Sequence, residues 1–309
     1  MVTGEAGVRG CVRKWWVVLA GCLLATAACS SSEEPSGSSP SAGSSSAAGS
    51  SAAGSSGPAS SGVYLALGDS VPFGYRGGED AATYRDPTAF VGYPDLVADD
   101  LGLQLHNAAC PGETTASFSD VTAQSNGCED SRGSDTGFRT TFPLHVEYAS
   151  ADQSQLDHAL DTLQRTDDVE LVTLQLGAND AFLCQATTAD RCRSEVGAVA
   201  GTVQGNVDTI LSTLRKDGGY DGTIVVVTYY ALDYTGWEAA GTQLLDDGIA
   251  RAAQDNGALV ADGFAAFRPA AEAAGGSSTD AGLVLPGDVH PSAQGQRLLA
   301  DAVTAAVGD

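Results

Sequence analysis

The sequence predicts an α/β domain of three layers, α/β/α, around a central, mainly parallel sheet of five strands. Three observations carry that expectation. Short apolar runs alternate with stretches of helical periodicity, the order a parallel sheet with crossover helices requires. The runs are continuously apolar and do not alternate with polar residues, which suits strands covered on both faces. Polar clusters follow the strands, where open α/β sheets collect their reactive groups.

The elements follow in order. Residues 63–67 (Val-Tyr-Leu-Ala-Leu) are a buried-strand run stopped by Gly68. A helix is expected near 93–101, with Pro94 in its first turn, where a missing N–H costs nothing. Residues 103–107 are a second, short strand. Residues 113–150 are rich in Gly, Ser and Thr, have weak periodicity, and read as a long loop. Leu156, Ala159, Leu160 and Leu163 give the i, i+3, i+4, i+7 spacing of an amphipathic helix. Strands follow at 169–176, 223–228 and 258–261, and helices at 196–214, before Asn256-Gly257, and at 292–307. The sequence shows no internal repeat.

Ahead of this domain lies a different kind of sequence. Arg9, Arg13 and Lys14 precede an uncharged apolar run at 15–28, then small residues and a cysteine. That order reads as a secretory signal peptide over 1–28, whose apolar run at 15–28 is shorter than the ~20 residues a bilayer span needs. A cysteine after small residues suggests acylation at Cys29, with Cys22 the alternative. Residues 29–62 are almost entirely Ser, Ala, Gly and Pro, which cannot bury enough apolar surface to order; they read as a flexible tether. The expected division is therefore 1–28, 29–62 and a single domain over 63–309. The product is exported and held at the cell surface by an N-terminal lipid.

The chain carries 15 Lys+Arg against 39 Asp+Glu, a net charge of −24. A surface this acidic repels phosphate backbones, so nucleic acid is excluded as a partner. No histidine pair has metal-ligand spacing, no calcium-loop pattern occurs, and no metal or cofactor is expected. A monomer is expected. With the three N-terminal cysteines set aside, Cys110, Cys128, Cys184 and Cys192 remain. An even number in an exported domain suggests disulfides, in any of three pairings; the local one, Cys110–Cys128 and Cys184–Cys192, is the simplest.

A serine hydroxyl is a poor nucleophile until a base takes its proton, and histidine is the usual base at neutral pH. The acyl-transfer transition state also needs donors aimed at a developing oxyanion. Ser70, His290, the N–H groups near Ser70 and Gly112, and the Asn179 amide supply these needs. The blocks Gly68-Asp69-Ser70, Asn107-Ala108-Ala109-Cys110-Pro111-Gly112, Gly177-Ala178-Asn179-Asp180 and Asp288-Val289-His290-Pro291 occur in that order. In this the chain resembles the SGNH/GDSL hydrolases, and its 107–115 stretch with Cys128 resembles their secreted, disulfide-containing esterase branch. The resemblance implies a flavodoxin-like sheet and hydrolysis of carboxylic esters through an acyl-serine. It makes Ser70 the nucleophile, His290 the base, and Ser70, Gly112 and Asn179 the oxyanion hole.

The family's acid stands three residues before the histidine, where this chain has Gly287. The nearest carboxylate, Asp288, stands two before, and on an extended or turning segment a one-residue shift redirects the side chain. The third member is left as Asp288 or the Gly287 carbonyl. Asp69 and Asp180 read as structural hydrogen-bonding residues. His106, His145 and His158 read as bystanders, His158 on the polar face of its helix. Two other outcomes share the fold: a non-catalytic binding lipoprotein, and an esterase of carbohydrate O-acetyl groups.

Overall fold

The structure, a computed structural model, describes residues 62–131 and 133–308. The expected signal peptide, Cys22, Cys29 and nearly all of the tether lie outside the described residues. Among these, the five strands are β1 (Val63–Gly68), β2 (Gln104–Asn107), β3 (Val169–Gln175), β4 (Thr223–Val227) and β5 (Leu259–Ala261). They form one sheet in the order β2-β1-β3-β4-β5, every neighbouring pair parallel. The order reverses between β1 and β3, which opens a crevice at their carboxyl ends.

The helices are α1 (Ser70–Phe73), α2 (Tyr93–Leu101), α3 (Phe138–Thr141), α4 (Gln155–Arg165), α5 (Ala178–Thr187), α6 (Val196–Lys216), α7 (Trp237–Asp255), α8 (Gly263–Ala273) and α9 (Ala293–Gly308). α6 packs along α7 with α4 beside it, while α9 packs on α2 and α8. These two groups are the outer layers. Leu65, Leu67, Val172, Leu174, Val225 and Val227 are buried in the sheet between them. Among the described residues no helix is long and apolar enough to cross a membrane.

The caps account for several starts. Ser154 and Asp157 form a reciprocal capping box at α4, and Asp95 accepts from the Gly92 N–H at α2. Four helices, α1, α3, α5 and α8, have no counterpart in the sequence reading. α1 and α3 are single turns and α5 has weak amphipathic character. α8 buries Phe264, Phe267 and Ala271 on one face, but Pro269 interrupts the pattern that reveals a helix from sequence.

The 113–150 segment has little regular structure, as expected, and part of it is buried. Glu113, Thr114, Thr115, Ser117, Phe118 and Ser125 are buried, their polar atoms paired within the segment or with α4, α5 and α6. One further expectation needs correction. His158 is not on a polar face. It is buried, its ring stacked on Tyr148 and its Nε2 2.9 Å from Nε2 of His106. The disulfides are the local pair, Cys110–Cys128 and Cys184–Cys192.

Candidate active site

The crevice between β1 and β3 gathers all four blocks. β1 ends at Gly68, and the chain turns at once into α1, with Ser70 as its first residue. Asp69 caps that turn: its Oδ1 accepts from the Val71 N–H at 3.0 Å. As the first residue of a helix, Ser70 has an N–H without an intrahelical acceptor, free to point into the crevice. Asn107, at the end of β2, donates to the Pro72 carbonyl at 2.8 Å and ties the second block to the first.

His290 lies in the loop before α9. Its backbone is pinned on both sides. The Tyr230 hydroxyl donates to the Val289 carbonyl at 2.7 Å, and the Leu285 N–H donates to the His290 carbonyl at 3.0 Å. The ring then sits with Nε2 2.9 Å from Ser70 Oγ and Nδ1 2.6 Å from Asp288 Oδ1.

Of the two alternatives for the third member, Asp288 is the one brought to the imidazole: the chain turns here, with Gly287 at φ 74°. The turn brings the carboxylate back over the imidazole. Two further contacts hold it: Oδ1 also accepts from the Val289 N–H at 2.7 Å, and Oδ2 from the Gly77 N–H at 2.8 Å. The Gly287 carbonyl makes no hydrogen bond to His290 among the described residues. A carboxylate at Nδ1 fixes the proton there and leaves Nε2 as acceptor for the serine.

The electrostatics agree with a neutral imidazole. Burial lowers the His290 pKa from its ordinary 6.5, and Asp288 opposes that without cancelling it. For Asp288, burial pushes upward, but the Gly77 N–H and His290 pull harder, and the carboxyl is lowered overall. Asp69 is fully buried and its carboxyl is raised to about 7, chiefly by desolvation, with a hydrogen bond from Tyr229 opposing.

Opposite the Ser–His pair stand Gly112 and Asn179. Gly112 has φ 88°, and a Cβ there would lie 2.6 Å from the Gly127 Cα, so only glycine fits. Asn179 is in the first turn of α5. Its Nδ2 donates to the Glu113 carbonyl at 3.0 Å and makes a long 3.4 Å contact with Asp69 Oδ2. Asp180, next to it, accepts from the Thr115 N–H and hydroxyl at 3.0 and 2.6 Å. The site residues named from sequence thus converge on one crevice, and the two disulfides flank it.

Two residues of the site escaped the sequence reading. Asn126 donates through Nδ2 to Asn179 Oδ1 at 2.8 Å, which fixes which way that amide faces. Its own N–H donates to the Gly112 carbonyl at 2.7 Å. Gln155 clamps the strand end before the serine: Oε1 accepts from the Gly68 N–H at 2.6 Å, and Nε2 donates to the Gly68 carbonyl and to Glu113 Oε2, both at 3.0 Å. Asn126 sits in a stretch with no motif, and Gln155 sits at a helix start, where a polar residue excites no suspicion. Cys110, Glu113 and Cys128 bring three potential ligand atoms together. The two sulfurs are bonded to each other, so no thiolate remains for a metal.

Two cavities meet at Ser70 and His290. The larger, about 380 Å³, runs between α5, α6 and α7. The smaller, about 220 Å³, is lined by Tyr75, Gly112, Asn126 and Phe138.

An all-parallel sheet with this order, and chemistry-bearing residues at its carboxyl edge, places the chain among hydrolases built on a three-layer α/β/α sandwich. The profile of the GDSL-like lipase/acylhydrolase family matches residues 66–298, and the chain belongs to that family, whose chemistry is ester hydrolysis. No curated protein sequence matches it significantly. Among solved structures it is similar to phospholipase A1 from Streptomyces albidoflavus NA297, at 21% identity and a TM-score of 0.51, over 80% of this chain and 99% of that one. It is also similar to Axe2, an acetylxylan esterase from Geobacillus stearothermophilus, at 14% identity and a TM-score of 0.52, over 81% and 95%. At these identities the similarity is one of fold.

Proposed function

We propose that the protein hydrolyses carboxylic esters through an acyl-serine intermediate formed on Ser70. The observation that carries this is the unbroken hydrogen-bonded line from Ser70 Oγ through His290 to Asp288, at 2.9 and 2.6 Å. His290 Nε2 takes the Ser70 proton as Oγ attacks the ester carbonyl. The tetrahedral oxyanion is held by the Ser70 and Gly112 N–H groups and by the Asn179 amide. Only the long contact with Asp69 holds the second Asn179 hydrogen, which leaves it free for a closer acceptor. His290 returns the proton to the leaving alcohol, and water repeats the sequence to release the acid. Asp288 keeps the imidazole in the reactive tautomer and stabilises the imidazolium.

The test is Ser70→Ala assayed on p-nitrophenyl acetate. The expected loss is about 10⁴-fold or more. Near-native hydrolysis by that variant would remove the acyl-serine mechanism. Export with a lipid on Cys29 belongs to the same proposal, supported by two disulfides of the kind oxidising compartments favour. Mass spectrometry of the mature N-terminus checks it: a diacylated Cys29 is expected, and an unmodified start would contradict it.

A further inference from the structure

The larger cavity begins at Ser70, Asn179 and His290 and ends at the surface between α5, α6 and α7. Its walls are chiefly apolar: Ala181 and Phe182 from α5, Val199 from α6, Leu245 from α7, and Leu232 and Trp237. Two tyrosines line it as well, but their hydroxyls are already used. Tyr229 donates to Asp69 Oδ2 at 2.5 Å and Tyr230 to the Val289 carbonyl at 2.7 Å, so both present ring carbon to the cavity. Away from Asp69, Ser70, Asn179 and His290 at its inner end, charge is confined to the rim, where exposed Arg191 and Glu238 approach to 3.9 Å, and Gln185 and Thr242 are the remaining polar lining. A sugar would find few partners for its hydroxyls here, and unpaired buried hydroxyls are costly. A hydrocarbon chain would find apolar wall along the cavity.

Size narrows the class. At ~30 Å³ per carbon-sized unit, judged from the share of volume a water takes, 380 Å³ holds about a dozen such units, and with the ester group seated at Ser70 that leaves room for a chain of about ten carbons. A formyl or acetyl group would leave most of it unfilled.

Gly241 of α7 gauges the space. A Cβ there would meet Val196 Cγ2 at 3.6 Å and the Trp237 ring at 3.9 Å, which is ordinary contact. The helix backbone there is relaxed, so a side chain at 241 enters the cavity without distorting the fold and favours the helix.

We propose that this cavity is the binding site for a medium-length, unbranched acyl chain of about eight to twelve carbons, with Gly241 setting its depth. The inference rests on the acyl-serine reading of Ser70. It assigns the acyl side of the ester to the α5–α6–α7 cavity and leaves the smaller, aromatic-lined one to the alcohol.

The experiment is kcat/KM over p-nitrophenyl esters from acetyl to palmitoyl, for the native domain, Ser70→Ala, Gly241→Leu, Gly241→Ala and Leu245→Ala. Each methylene buried is worth about fourfold, before losses to imperfect fit. The native protein is expected to favour decanoyl over acetyl at least tenfold and to decline beyond about twelve carbons. Gly241→Leu is expected to cut the decanoyl-to-acetyl ratio at least tenfold, Gly241→Ala to cut it less, and Leu245→Ala to move the optimum to longer chains. An acetyl optimum in the native protein, or an unchanged ratio in Gly241→Leu or Gly241→Ala of native melting temperature, overturns the acyl-chain site while Ser70 stays essential. Activity surviving Ser70→Ala overturns the acyl-serine reading itself, and with it the inference.

Discussion

Two disulfides close two loops beside the same crevice, yet the loops are built differently. Residues 110–128 carry Gly112 and Asn126, and bury and pair Glu113, Thr114, Thr115, Ser117 and Ser125. Residues 184–192 are largely exposed and end on two consecutive non-glycine residues in the left-handed region, Arg191 at φ 56° and Cys192 at φ 66°. The first loop places groups that meet developing charge. The second walls the apolar cavity through Gln185, Arg191 and Cys192.

Stability does not separate them. For separations of 18 and 8 residues the chain-entropy model gives about 3 and about 2.5 kcal/mol. A difference below ~1 kcal/mol cannot explain why the chain needs both. Where each bridge is placed can. On the proposed mechanism, the first fixes the hole that handles charge, and the second shapes the space proposed for the acyl chain.

Breaking the first staple is the severest test of that division. Cys110→Ser with Cys128→Ser is expected to lower kcat/KM about a hundredfold or more on every acyl length, because Gly112 and Asn126 lose their common anchor. A loss confined to long esters, in variants of native circular dichroism, would contradict it. Asn126→Ala should act in the same direction with less force. Its expected cost is about ten- to a hundredfold in kcat with KM nearly unchanged, since it acts through Asn179 on the transition state. A rise in KM alone would make Asn126 a binding residue instead.

Breaking the second staple should be milder and selective. Cys184→Ser with Cys192→Ser is expected to cost less than about threefold on acetyl esters and about tenfold on decanoyl esters. Equal losses on both would erase the contrast between the loops.

The smallest expected effect is a displacement of the pH profile. Burial lowers His290 below 6.5, so its base form persists as pH falls to that value. Activity is expected to be full above neutrality and to decline only through an apparent pKa under 6.5. An acid limb centred above 7 would mean that a different group sets the profile.

The sequence made some of this legible and hid the rest for identifiable reasons. Apolar, β-branched strands such as Thr223–Val227 announce themselves, and the four blocks marked where Ser70, Gly112, Asn179 and His290 meet. The choice between Asp288 and the Gly287 carbonyl stayed open because a one-residue shift can be read only once the turn is known, and Gly287, at φ 74°, makes that turn. Asn126 and Gln155 were invisible because what they contribute depends on tertiary contacts: Asn126 is 53 residues from Asn179, and Gln155 is 87 from Gly68. The 113–150 segment read only as a long loop, because polar composition and weak periodicity do not reveal that part of it is buried. Here side chains such as Ser125 and Thr115 satisfy one another or α5, and a disulfide supplies the order that periodicity lacks.

The most direct test of Ser70 as nucleophile is covalent. The native domain is treated with a fluorophosphonate, and its intact mass and tryptic peptides are measured alongside Ser70→Ala and Asp288→Asn. One adduct per molecule on Ser70 is expected, none in Ser70→Ala, and labelling slowed about a hundredfold or more in Asp288→Asn. An adduct on another residue, or none in the native protein, would contradict an acyl-serine mechanism at this site.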